Sequence, residues 1–119
     1  MKIIFKPQTE WLPPQDFPDL SKYDEIAIDL ETKDPNLNER MGSGSVVGVG
    51  DVVGISLATH DWCAYYPIAH EGGGNMDRKM VLKWLQDQLN TPATKIFHNA
   101  MYDVCWIRAL GLKISGKIV

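Results

Sequence analysis

Asp24-Glu25-Ile26-Ala27-Ile28-Asp29-Leu30-Glu31-Thr32 contains the most strongly β-prone run of the chain. Side chains alternate along a strand, so Ile26, Ile28 and Leu30 share one face while Ala27, Asp29 and Glu31 share the other. The apolar triplet calls for burial, and the two acids point the same way. The pattern predicts a strand over 26–31 with a carboxylate pair at its C-terminal end, where α/β sheets usually place their sites.

Upstream, Pro7, Pro13, Pro14 and Pro18 stand among polar and aromatic residues. Residues 1–23 therefore read as an extended, Pro-rich lead-in to a folded unit over 24–119. Downstream, Thr32 to Gly50 turns to Asp-Pro-Asn and Gly-Ser loop chemistry. The apolar, β-rich runs 52–58 and 62–68 are split by Thr59-His60-Asp61, as in a hairpin, with Pro67 near the end of its strand. After the loop at 70–75, Val81, Leu82, Trp84, Leu85 and Leu89 fall at helical spacing between Asp77 and Pro92. Lys95-Ile96-Phe97 reads as a short strand. Asn99 is the expected N-cap of a helix carrying Val104, Trp106, Ile107 and Leu110 and stopped by Gly111.

Ile114 to Val119 begins a further strand in which the sequence stops, so the expected sheet is C-terminally incomplete. The order is an α/β pattern, a three-strand meander followed by crossover units with flanking helices. Ribonuclease-H-like nucleases use a mixed sheet of this order, and so do other folds. The order alone does not select a function.

Bulk properties narrow the field. No segment approaches the ~20 apolar residues of a membrane span, so no membrane partner and a cytoplasmic location are expected. A net charge of −3 and scattered basic residues argue against a patch that holds nucleic acid by counterion release. Carboxylates with divalent cations are a different case, because they present positive charge to a phosphate once the metals are bound. Cys63 and Cys105 lack metal-ligand spacing and are expected to be reduced, mostly buried thiols. Trp62, Trp84 and Trp106 are expected in the core, and Trp11 outside it.

Two constellations carry chemistry. Asp29 and Glu31, at i and i+2 on one strand face, can share a divalent cation, since Mg²⁺ or Mn²⁺ takes oxygen ligands held close together. Taken alone the pair is weak evidence: fifteen acids in 119 residues give about two such pairs by chance, and a solvated strand face explains them equally well. The second is His98-Asn99-Ala100-Met101-Tyr102-Asp103, at a strand-to-helix junction. A cap at Asn99 puts Asp103 one turn into the helix, where the dipole favours an anion and the side chain can face the strand ends. His70 and His98 read as loop histidines bonded to backbone, and Gly72-Gly73-Gly74 lacks the Lys-Ser/Thr of a phosphate-binding loop.

Ile28-Asp29-Leu30-Glu31-Thr32 resembles the first motif, and Phe97-His98-Asn99-Ala100-Met101-Tyr102-Asp103 the second, of the four-carboxylate (DEDD) 3′→5′ exonucleases. Val53-Gly54-Ile55-Ser56-Leu57-Ala58 and Ala64-Tyr65-Tyr66-Pro67-Ile68-Ala69-His70 resemble the proofreading domain of family A DNA polymerases. Glu31-Thr-Lys-Asp-Pro-Asn and His70-Glu-Gly-Gly-Gly-Asn resemble its bacteriophage branch.

The resemblance implies a ribonuclease-H-like fold and a hydrolase of DNA replication that releases nucleoside monophosphates from a single-stranded DNA 3′ end with two Mg²⁺ or Mn²⁺ ions. It implies Asp29 bridging both metals, Glu31 ligating one and Asp103 holding the second through water, with Thr32 and Asn99 near the terminal nucleotide. It also implies a polymerase domain as partner. The family's third motif, a Tyr or His four residues before a final Asp, has no counterpart here, so little or no activity is expected of these residues alone. The unfinished sheet edge favours a homodimer. Two alternatives stay open: a non-catalytic module that binds nucleic acid or a polymerase, from a split or vestigial gene, and a small nuclease that borrows its last carboxylate from a second subunit.

Overall fold

The computed structural model describes residues 13–14, 16–33 and 50–119. Residues 1–12 of the lead-in with Trp11, residue 15 and the 34–49 stretch of the predicted loop lie outside them. Strand β1 spans Glu25–Lys33, β2 Asp51–Ala58 and β3 Cys63–Pro67; helix α1 spans Arg78–Leu89, β4 Thr94–Phe97 and α2 Ala100–Ala109. The sheet order is β3-β2-β1-β4. β1 is central, antiparallel to β2 and parallel to β4, as its apolar face predicts. The fold is thus α/β with a mixed sheet and two helices, compatible with a ribonuclease-H-like arrangement.

The alternation in β1 appears directly in its burial: Ile26, Ile28 and Leu30 are buried while Asp29 and Glu31 are exposed. The buried face meets Val81, Trp84, Leu85 and Leu89 of α1 and Trp106 and Ile107 of α2 in one hydrophobic core. Trp62 only borders that core. Asp77 caps α1, its carboxylate accepting the Met80 N–H at 3.1 Å. Helix α2 closes at Gly111, whose φ of +83° suits a residue without Cβ. Gly111 N–H donates to Arg108 C=O and Leu112 N–H to Ile107 C=O, so two carbonyls of the last turn are satisfied.

The described part of the lead-in is non-helical and docks on α1. Leu20 is buried, its N–H donating to Gln88 Oε1 at 2.8 Å, and the Trp84 indole donates to Pro18 C=O at 2.8 Å. On the other side of β4, Lys95 N–H donates to Lys117 C=O and Val119 N–H to Lys95 C=O. The chain after Ile114 runs parallel to β4 but forms an isolated bridge, Ile118 to Lys95, and not the strand expected of it. Lys95 is fully buried, and its ammonium donates to the carbonyls of Thr91 and Ser115, tying this segment to the sheet. Burial pushes its pKa down.

The cysteines depart from expectation. Cys63 is exposed and Cys105 half-buried, because Cys63 opens β3 on the uncovered face, opposite Ala58. Among the described residues, no helix is long and apolar enough to cross a membrane.

Leu85 has no exposure and lies on the contact between α1 and the sheet. Leu85→Ala is expected to cost about 2–5 kcal/mol, read as a lower urea midpoint with unchanged slope.

Candidate functional site

The site is a consequence of unequal strand lengths. Parallel pairing between β1 and β4 runs from Glu25↔Thr94 to Ile28↔Phe97 and ends there, whereas β1 continues to Lys33 beside β2. From Asp29 onward, the β4 side of β1 is faced by the turn into α2. The first turn of that helix carries Asp103.

Asp103 is only 3% exposed. Its carboxyl is pushed up to about 6, first by burial and then by the negative charge of Asp29; backbone hydrogen bonds from Asn99 and Leu30 and the nearby His98 pull the other way. Two carboxylates from separate elements are thus brought within electrostatic reach. Glu31 shares the strand face of Asp29 and lies opposite Gly54. Among the described residues, no group of three or more His, Cys, Asp or Glu is gathered tightly enough to hold a metal ion.

Asn99 occupies the N-cap position, but its side chain makes no capping bond. The Asp103 carboxylate reaches back to the Asn99 backbone instead, while Asp103 N–H donates to Asn99 C=O at 3.0 Å. With an acid supplying the acceptor, the Asn99 amide is left at the exposed rim. Thr32 falls on the core side of β1, past Leu30, and its hydroxyl shares a 2.6 Å hydrogen bond with the Tyr102 phenol. That bond joins the end of β1 to α2 across 70 residues of sequence. Tyr102 was quoted in the second motif for its position alone; nothing local in the sequence signals its partner.

The open face of the sheet beside Asp29 forms a cleft of about 550 Å³, lined by Ala27, Asp29, Ser56, Ala58, Ile96 and His98 among others. Small side chains at 27, 56 and 58 leave the room. On β3, the Tyr65 phenol is hydrogen-bonded to His70 Nε2. The ring partner of His70 is therefore a side chain and not the backbone expected of a loop histidine. Burial, and then the charge of Glu31, pushes the Tyr65 phenol up.

What the fold and site define is an α/β domain with opposed acids at the C-terminal end of its central strand. No family model matches the chain. It is 34% identical over 93 residues, 76% of its length, to a DNA-directed DNA polymerase of Pseudomonas phage M6. The chain spans 14% of the length of that polymerase. The similarity makes this a polymerase-related region.

The Asp103 shift has a definite sign. A folded pKa of about 6, above the ordinary carboxyl value of 3.8, means that the folded state holds the extra proton between those values. Stability from this group is present at low pH and is lost as pH rises through about 6. Asp103→Asn removes the buried charge, so its stability relative to wild type should rise between pH 4 and pH 8, by on the order of 1–3 kcal/mol. Parallel urea melts of the two proteins in metal-free buffer check it; a flat difference across that range would show that Asp103 is not under charge stress.

Proposed function

We propose that the chain is the N-terminal part of a 3′→5′ exonuclease domain attached to a family A DNA polymerase, hydrolysing the 3′-terminal phosphodiester of DNA in proofreading. The observation that carries this reading is the confrontation of Asp29 with the buried Asp103 at the end of β1. Burial, and then the charge of Asp29, makes ionised Asp103 costly, and a divalent cation would offset that cost while satisfying its own preference for hard oxygen donors. Asp29 and Asp103 offer the hard oxygen donors that Mg²⁺ or Mn²⁺ takes, and an ion would have to draw the Glu31 carboxylate in to complete the set. Asp29, Glu31 and Asp103 would hold the ions, which supply a water of lowered pKa and neutralise charge on the departing 3′ oxygen.

The remaining groups bind and orient. Thr32, fixed by Tyr102, and Asn99, exposed at the helix start, flank the acids where a terminal nucleotide would lie. Ala27, Ala58 and Ile96 give the cleft an apolar floor for a sugar or base. A polymerase origin for the relative supports a DNA 3′ end as the substrate. These residues hold three of the family's four carboxylates, so catalysis is assigned to the domain with its third motif.

Mn²⁺ should bind this chain weakly and more tightly than Mg²⁺, and Asp29→Ala should abolish it. Calorimetric titration at pH 7.5 checks this; unchanged binding in the variant would show that Asp29 and Glu31 are a solvated strand face. The activity test uses 5′-labelled single-stranded DNA with Mn²⁺. A ladder is expected from a polymerase chain extended through the third motif and lost on Asp29→Ala, and rates near background from the 119 residues alone. DNA binding without metal uptake or hydrolysis in either protein would favour the non-catalytic module instead.

A further inference from the structure

Gly54 occupies the β2 position directly opposite Glu31. A Cβ built there would lie 1.8 Å from the Tyr65 hydroxyl and 2.3 Å from the ring carbon that bears it. The phenol therefore fills the space that any side chain at position 54 would occupy. Directly opposed residues of an antiparallel pair have Cβ atoms about 4.5–5.5 Å apart. The Tyr65 oxygen consequently sits within reach of the Glu31 carboxylate, two carbons beyond its Cβ. The upward push that Glu31 exerts on the phenol agrees with this placement.

The phenol is held there from behind. His70 Nε2 shares a hydrogen bond with the Tyr65 hydroxyl, and the two rings meet edge to face at 5.7 Å. His70 is in turn pinned by Asn75, which accepts the His70 N–H at 2.7 Å and donates to its C=O at 2.9 Å. The segment before it is fastened to the bulge in β2: Ile68 and Ala69 N–H groups both donate to Val53 C=O. A surface loop acid, Glu71, pairs with Lys33 at the end of β1.

We propose that Tyr65, backed by His70, is a positioning residue for Glu31, fixing that carboxylate for a divalent cation through a phenol lodged over Gly54. In this arrangement His70 Nε2–H donates to the phenol oxygen and the phenol O–H donates to the Glu31 carboxylate. Glu31 otherwise projects from an exposed position on the strand and would lose side-chain entropy on taking up a metal. Gly54 is required because only a residue without Cβ leaves the phenol its seat.

The inference rests on the metal-site reading, and the test separates the two. Mn²⁺ affinity is measured by the free-ion electron paramagnetic resonance signal on the purified chain, with melting temperature recorded for each variant. Tyr65→Phe keeps the ring and deletes the donor; it should weaken Mn²⁺ binding about tenfold, as loss of a ligand-orienting partner does, with little change in melting temperature. His70→Gln, which can still hydrogen-bond the phenol, should stay within about threefold of wild type, whereas His70→Leu should match Tyr65→Phe. Gly54→Ala is expected to displace the phenol and give the same loss, and serves if the loop variants misfold. Wild-type affinity in Tyr65→Phe, with binding still abolished by Asp29→Ala, would overturn the positioning role and leave the metal site standing. No Mn²⁺ binding by the wild type, or binding that survives Asp29→Ala, would overturn both.

Discussion

β1 outruns its parallel neighbour. Because β4 ends opposite Ile28, the last residues of the central strand have a helix start, not a strand, on one side. Each acid of the site takes its place from that overhang. Asp29 and Glu31 lie on the overhanging segment, and Asp103 lies in the first turn of α2, which begins where β4 stops. Had β4 continued alongside, the Leu30 backbone would have been committed to another strand. It interacts with the Asp103 carboxylate instead.

The rest of the fold keeps this overhang rigid. Ile26, Ile28 and Leu30 anchor β1 from below, and α1 covers them with Val81, Leu85 and Leu89. The lead-in seals the far side of α1, where Phe17 stacks on Tyr66 with ring centroids 5.6 Å apart. Tyr66 is fully buried, and its hydroxyl donates to Asp16 C=O at 3.2 Å; burial, with Asp16 nearby, pushes that phenol up to about 12. Adjacent tyrosines on β3 thus serve opposite faces, Tyr66 the core and Tyr65 the open side. Strand alternation requires that division.

That same alternation made much of the fold legible. Period two in 24–32 and period 3.6 in 81–89 are local properties, legible without their partners. The site was legible only in part. Asp103 could be put one turn into a helix from its spacing to Asn99, but its burial comes from packing of α2 against the overhang, which is a tertiary fact. Asn99 takes the expected N-cap position but its side chain makes no capping bond, for a related reason: the Asp103 carboxylate reaches the Asn99 backbone instead. The partnerships Thr32 with Tyr102 and Tyr65 with His70 were invisible because one spans 70 residues and the other depends on an empty Cβ position in a neighbouring strand. Lys95 was read only as part of a short strand; its complete burial depends on carbonyls of Thr91 and Ser115 that later chain brings to it.

On the proposed reading an acidic protein acts on a polyanion, which poses an electrostatic problem that the location of the acids would answer. Net charge of −3 repels DNA at long range, with screening confining the effect to about 10 Å at moderate salt. Within that distance the decisive charges are those at the strand end, where Asp103 is buried beside Asp29. Removing water makes their mutual repulsion expensive, so the pair either takes up a proton near pH 6 or takes up a cation. On the proposed reading the cation would be the stronger remedy at neutral pH, because each divalent ion brings two positive charges where a proton brings one. The burial that makes the ionised Asp103 costly would then also place positive charge where a phosphodiester would have to sit.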